Sequence, residues 1–339
     1  MKTLTLILGN GVTIDLMSHL KLAEQINVRN LFARGDEIEW PSHNGFSGFL
    51  TYKNCPNLVS LGITPNTPPE TAAIIFEKII TCANFYSYRS KNQSDEEKNI
   101  YIRAYLELVE YLRSLFIWYD KIFVESDWKK NISTWNWLNF LKSAQKKYEK
   151  INIITLNYDI YLERILKNEG IEFQTSQIDK EQGKKITIFK PHGSISFVSS
   201  VEPTQTETMP DYFISYKFKD PLTPSDIKTS YEDLEQKRLI NTIIPPYGDS
   251  TRYQQSWSRL ILEKAIASAK NSETIIISGI SYWHVDRLEV DKILLSAEED
   301  CNITKINPSS NPIFDAVLQS RFSRYQQYRS SSILQELIK

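Results

Sequence analysis

Three features of this 339-residue chain predict an α/β fold, a parallel sheet with helices on both faces and a helical insertion. Short apolar runs recur, each ending in a turn built from Gly, Asn or Pro. Segments with apolar residues at helical spacing follow those turns. Strand and helix then alternate along much of the chain, as in parallel sheets and not in antiparallel meanders.

Leu4 to Leu8 reads as the first strand, stopped by Gly9-Asn10-Gly11, and Val12, Leu16, Leu20 and Ala23 give the next segment one apolar stripe. Strand, tight turn and helix make half of a nucleotide-binding unit. Residues Trp40 to Pro69, rich in Asn, Gly, Pro and Ser, read as loop, and Glu70 to Tyr148 as helix with a polar connection from Ser87 to Asn99. Tyr101, Tyr105, Leu108, Leu112 and Leu115 line one face of this stretch. Its aromatics (Trp118, Trp128, Trp135, Trp137, Tyr105, Tyr111, Phe116, Tyr119 and Phe140) predict a helical core, or alternatively a surface for an oligomer or partner. Ile151 to Leu156 restores the strand pattern, and Tyr161, Leu162, Ile165 and Leu166 stripe the helix after it. Ile186 to Phe189 is a further strand, closed by Lys190-Pro191-His192-Gly193. Val201 to Pro246 is expected to be irregular. Beyond it come a helix (Trp257 to Ala269), a strand (Thr274 to Ser278), a helix (Val285 to Ala297) and a strand (Ile303 to Ile306) ending at Asn307-Pro308. The whole is Rossmann-like. It divides into a first core segment (residues 1–64), the insertion (65–149) and a second core segment (150–339).

With 40 basic and 41 acidic residues the net charge is -1, which gives no reason to expect nucleic acid or an anionic membrane as partner. Cys55, Cys82 and Cys301 build neither a disulfide framework nor a four-cysteine zinc site, so a reducing cytoplasm is the expected location. The apolar run at Leu4 is too short for a signal peptide, and no run is long enough to cross a bilayer.

In an open parallel sheet, ligands bind in the loops at the carboxyl ends of the strands. Four such loops are candidates here: Gly9 to Thr13, Thr155 to Asp159, Lys190-Pro191-His192-Gly193, and Asn307-Pro308. Gly9 and Gly11 permit close backbone approach, and the helix after them offers free amides and a positive dipole end, a turn suited to pyrophosphate or simply to a tight bend. The third glycine of the usual dinucleotide fingerprint is replaced by Ile14. Asn157 and Asp159 place one side chain toward a ligand while the other caps the next helix, or both cap. His192, between proline and glycine, is expected to be exposed in a crevice as a base near neutral pH. His19, His43 and His284 have no metal-site spacing.

Gly9-Asn10-Gly11-Val12-Thr13, Thr155 to Asp159 with Leu162-Glu163, Lys190-Pro191-His192-Gly193-Ser194, Ile244-Pro245-Pro246, Ser278-Gly279-Ile280-Ser281 with Asp286, and Asn307-Pro308 occur in the order seen in bacterial sirtuin-like proteins. Over residues 1–35 and 150–310 the chain resembles that family, and within it the NAD-cleaving effectors of antiphage defence. The resemblance implies NAD+ as substrate, hydrolysed to nicotinamide and ADP-ribose, with no metal. It implies Asn157, Asp159 and His192 as catalytic residues, the first two at the nicotinamide ribose and attacking water and His192 as base. Gly9, Gly11 and Thr13 would hold the pyrophosphate, Gly279 and Ser281 would line the nucleotide, and Asn307 would meet the adenine ribose. Asn10, Asp15, Thr155 and Tyr158 complete the expected nucleotide-binding set. Control by homo-oligomer formation, or by a second defence protein encoded nearby, would keep such an activity silent. The four-cysteine zinc module and the arginine-containing turn of deacylating sirtuins have no counterpart in the sequence. Protein deacylation or ADP-ribosyl transfer, and a non-catalytic NAD or ADP-ribose sensor, are the alternatives. Chemistry favours hydrolysis, because nicotinamide is a cationic leaving group whose departure needs no strong acid, only stabilisation of an oxocarbenium-like ribose and a placed nucleophile.

Overall fold

The computed structural model describes residues 2–39, 48–89, 99–180, 183–200, 223–235, 242–245 and 256–338. The strands are β1 (Thr3–Leu8), β2 (Lys150–Thr155), β3 (Phe173–Thr175), β4 (Ile186–Phe189), β5 (Phe197–Ser199), β6 (Ile227–Thr229), β7 (Thr274–Ser278), β8 (Asn302–Ile306) and β9 (Arg324–Tyr328). Among the described residues seven of them form one parallel sheet in the order β3-β4-β2-β1-β7-β8-β9, and β5 pairs β6 antiparallel apart from it. The helices are α1 (Asn10–Leu20), α2 (Pro56–Ser60), α3 (Pro69–Arg89), α4 (Ile100–Glu125), α5 (Trp128–Asn131), α6 (Asn136–Lys147), α7 (Tyr161–Asn168), α8 (Ser256–Ala269), α9 (His284–Ser296), α10 (Pro312–Arg321) and α11 (Leu334–Leu337).

Successive strand residues face opposite sides of a sheet, and the core divides accordingly. Leu4, Leu6 and Leu8 of β1 and Ile151 and Ile153 of β2 pack with α1, α4, α6 and α7. Ile7, Ile154, Ile275 and Ile277 pack instead with α8, α9 and α10. Each fully buried Leu or Ile contributes about 1.5–3 kcal/mol, so both faces of the sheet are firmly covered. Register then positions the loops. Leu8 is level with Thr155 and Ser278, Ile154 with Phe189, and Ser278 with Ile306. The turns after β1, β2, β4, β7 and β8 therefore open at one end of the sheet.

Some elements differ from the sequence reading. Pro56–Ser60 is helical inside the stretch read as loop, because the Glu107 carboxylate accepts from the amides of Asn57 and Leu58 at its N-terminus. Edge strands β3 and β9 are additional, the latter polar and half exposed. The aromatics at 105, 111, 116, 119, 128, 135, 137 and 140 are buried within the chain, while Trp118 is half-buried under the Arg34 guanidinium. His43, Pro246 and most of the segment read as irregular lie outside the described residues. Among the described residues no helix is long and apolar enough to cross a membrane.

Candidate active site

At the carboxyl ends of the strands lies a cavity of about 500 Å³. Of the residues singled out in the sequence it is lined by Gly9, Asn10, Gly11, Asn157, Tyr158, Asp159, His192, Gly279, Ser281 and Asn307. Thr13, Asp15 and Thr155 do not line it. Asp15 turns instead to the insertion and the chain end, where its carboxylate accepts from Trp135 Nε1 at 2.9 Å and Ser331 Oγ at 3.0 Å.

The two glycines of the first turn line the cavity and also pack against the turn after β7. Gly9 N donates to Ser278 O and Gly11 N to Gly279 O, so these amides are already used. A Cβ on Gly11 would stand 2.4 Å from the Gly279 Cα, and one on Gly279 2.6 Å from the Gly11 Cα. The turns after β1 and β7 thus pack backbone against backbone. Gly279, at φ +68°, also needs the left-handed region that glycine adopts without strain. A phosphate at this turn would meet the helix dipole and the rest of the first turn of α1.

Asn157 and Asp159 follow β2; Ile160 stands at the N-cap position of α7, but the Asp159 carboxylate accepts from the Tyr161 backbone amide and so caps the first turn, while Asn157 does not. Asn157 Nδ2 donates to Gly9 O at 3.2 Å and Thr13 Oγ1 at 3.1 Å, which leaves its amide oxygen to accept from a ligand. Thr13 in turn donates to Asp159 Oδ2 at 2.7 Å, so its hydroxyl is committed to the catalytic candidates and not to a phosphate. Thr155 Oγ1 accepts from the Asn157 amide and shapes the same loop. Beneath it, the buried Lys190 ammonium donates to Asp159 O at 2.5 Å and to Glu163 Oε1 at 2.7 Å. Burial raises the Asp159 carboxyl to about 6 against the opposing pull of Lys190 and Thr13. Tyr158 lines the cavity with its ring, and its hydroxyl donates to Ile244 O at 3.1 Å. Asn307 Nδ2 donates to Ile280 O at 3.2 Å and so ties the β8 turn to the β7 turn.

His192 departs most from expectation. It is only 1% exposed, because the 242–245 segment lies over its turn: Ile244 N donates to His192 O, and Gly193 bridges Ile243. Its Nε2 lies 2.5 Å from Glu289 Oε2, and Glu289 is buried as well. Burial opposes charging the ring, but Glu289, Asp286 and a hydrogen bond with the Leu156 backbone outweigh it, and the pKa rises to about 9. An imidazolium has no lone pair, so the expected base near neutral pH is here a charged donor. Asp286, one turn before Glu289 on α9, lines the cavity; burial raises its carboxyl to about 6, His192 opposing and Glu289 adding to the rise. Ligand atoms of His192, Asp286 and Glu289 lie within 4.8 Å of one another, close enough for a cation, but the Nε2–Oε2 contact spends two of those atoms on each other.

Sequence reasoning missed Glu289, the cavity's Arg29, and an apolar wall of Leu31, Phe76, Phe116 and Trp283. Phe76 comes from α3 and Phe116 from α4, so the helical insertion closes one side of the site. Only the recurrence of aromatics at helical spacing hinted at that wall. Nothing in the sequence distinguishes Glu289 from other helical acids.

Residues 151–302 match the family model of the SIR2-like domain. A search of curated proteins finds no match. Solved structures similar to this chain include one of a Sir2 enzyme studied for mechanism and regulation, 11% identical over 99% of this chain and 90% of that one, with a TM-score of 0.38. Others are Sir2Tm bound to a propionylated peptide (13% identity, 99% and 92% covered, TM-score 0.36) and a Sir2 homolog–NAD complex (13%, 99% and 88%, 0.32). The matched span, residues 151–302, runs from β2 to the start of β8 and is similar to the SIR2-like domain.

Proposed function

We propose that the protein hydrolyses NAD+ to nicotinamide and ADP-ribose. A SIR2-like domain implies NAD-dependent activity, and one observation carries the finer reading. A single cavity joins the Gly9-Asn10-Gly11 turn, Asn157, the carboxylates of Asp159 and Asp286, His192 and Asn307. The pyrophosphate would lie at the N-terminus of α1 with Arg29 as its cation, and the aromatic wall would hold nicotinamide and exclude water. As the C1′–N bond breaks, its electrons pass to nicotinamide and positive charge develops on the ribose. Two ionised carboxylates in a buried site stabilise that charge before it forms. Asn157 would accept from a ribose hydroxyl or the attacking water and so fix its approach. His192, whose ring donors are engaged by Glu289 and the Leu156 backbone, would act through its charge beside Asp286 and not as a donor to the ribose. Water then supplies hydroxide to C1′ and releases one proton.

On this reading the cell-level role is NAD depletion in antiphage defence, held silent by assembly or by a second protein encoded nearby. The resemblance of the motifs supports it. We extend the proposal to the division at 1–64, 65–149 and 150–339. The test is to incubate the protein with NAD+, with and without the neighbouring gene's product, and to separate the products. Nicotinamide and ADP-ribose are expected in equal amounts, with Asn157→Ala slower by about 10²-fold or more. Thermal stabilisation by NAD+ at constant NAD+ concentration would favour a sensor instead. Stoichiometric change of an added acyl-peptide or protein would favour group transfer.

A further inference from the structure

We infer that Asp286 is the group that takes the proton of the attacking water, and that Glu289 is the positioning residue that holds His192 charged beside it. The inference rests on the hydrolysis reading and assigns its proton.

Three side chains from two elements meet here: His192 from the turn after β4, and Asp286 and Glu289 three residues apart on α9, hence on one side of that helix. Asp286 and His192 line the cavity, and Glu289 lies behind them. Asp286 Oδ1 is buried and has no hydrogen-bond partner among the described residues. An ionised oxygen stripped of water and given no protein donor is costly. A water or ribose hydroxyl donating from the cavity would relieve that cost. The competing groups are engaged. Asp159 gives Oδ2 to Thr13, and His192 is held by Glu289 at 2.5 Å. Asp286 is faced by His192 across the cavity wall, by Glu289 on its own helix, and by the Tyr158 hydroxyl from the loop after β2, which burial keeps neutral.

The step balances. The water oxygen bonds to C1′, the C1′–N pair leaves with neutral nicotinamide, and the water proton passes to the Asp286 carboxylate and then to solvent. With one imidazolium and two carboxylates the cluster carries a net charge of −1, which suits an oxocarbenium-like ribose.

The test is the pH profile of NAD+ consumption from pH 4.5 to 9 for wild type, Asp286→Asn, Asp286→Glu, Asp159→Asn and His192→Gln/Glu289→Gln, each checked for folding by thermal melting. Wild-type kcat is expected to fall below an acid limb near pH 6. Asp286→Asn should lose about 10²-fold or more in kcat with KM little changed, and its residual rate should lack that limb. Asp286→Glu should be slow but keep the limb, and Asp159→Asn should keep it too. In the double variant the limb should move to higher pH, because the lost imidazolium lowered the Asp286 pKa by more than the lost carboxylate raised it. Full kcat in Asp286→Asn, or a limb that disappears in Asp159→Asn instead, overturns the assignment while leaving NAD+ hydrolysis standing. Wild type that consumes no NAD+ under any of these conditions removes both.

Discussion

Replacing Gly11 by Ala sets two physical effects against each other with opposite signs. Gly11 lies in the first turn of α1, where alanine raises helix propensity, a gain of about 1 kcal/mol. Against this, the new Cβ would stand 2.4 Å from the Cα of Gly279, a contact with backbone that has no rotamer to yield. Overpacking of a close-packed interior costs about 1–3 kcal/mol, and more where neither partner can turn aside. For Gly279→Ala the clash at 2.6 Å is joined by a left-handed φ of +68°, worth about 1–2 kcal/mol. The sum is about 2–5 kcal/mol. For a chain of 339 residues the entropy of unfolding is about 0.7 kcal/mol per degree, so Gly279→Ala should lower Tm by about 3–7 °C. Gly170→Ala is the control, since it has φ +65° but nothing within 4 Å of the added carbon, and it should lose only about 2 °C. Differential scanning calorimetry of the three variants decides the matter. If Gly11→Ala melts at or above wild type, or Gly279→Ala melts like Gly170→Ala, the β1 and β7 turns are not packed as described.

Two further perturbations probe the buried charges. The His192 pKa is about 9 in the fold against an ordinary 6.5, so the protonated ring favours the folded state; its contribution of about 3 kcal/mol is complete below pH 6.5 and lost as pH rises through 9. Urea unfolding at pH 6.5 and 9.5 should show that loss in wild type and not in His192→Gln/Glu289→Gln, and a wild-type curve that is flat over this window would refute it. Lys190→Met leaves Glu163 buried without its cation and should cost about 3–5 kcal/mol. Lys190→Met/Glu163→Leu should recover most of that, so equal instability of the single and double variants in urea would count against a buried pair.

The sheet was legible where physics is local. Runs such as Ile186–Phe189 and Thr274–Ser278 are β-branched, bury both faces and stop at turn residues, and their observed bounds coincide with the expected ones. Strand β9, Arg-Tyr-Gln-Gln-Tyr, is half exposed at the sheet edge, so its sequence carries no apolar alternation to read. In the site, the turn at Lys190-Pro191-His192-Gly193 was legible, but the burial of His192 was not, because it depends on residues 242–245 crossing over that turn. Glu289 lies 97 residues from its partner. Arg29 follows the glycine turn too late to read as part of it, and only the fold returns it to the cavity.

The topology explains why the site has to be assembled from distant segments. β1 is the middle strand, flanked by β2 on one side and β7 on the other, and the chain reaches these neighbours through separate excursions. A crevice at the carboxyl ends of strands whose connections diverge is where open parallel sheets bind ligands. The matched span, residues 151–302, holds Asn157, Asp159, His192, Asp286 and Glu289. It lacks Gly9-Asn10-Gly11, Thr13, Asp15 and Asn307 of the expected nucleotide-binding set, and holds Thr155, Tyr158, Gly279 and Ser281. On the proposed reading the candidate catalytic residues, with Tyr158, Gly279 and Ser281, lie inside the matched segment, and the glycine turn and Asn307 lie outside it. The glycine turn and α1 meet the matched segment through contacts of main chain and short side chains, Gly11 against Gly279 and Thr13 between Asn157 and Asp159. A change at Gly11 or Thr13 should for that reason disturb the catalytic pair as well as nucleotide binding, and kcat should fall together with affinity.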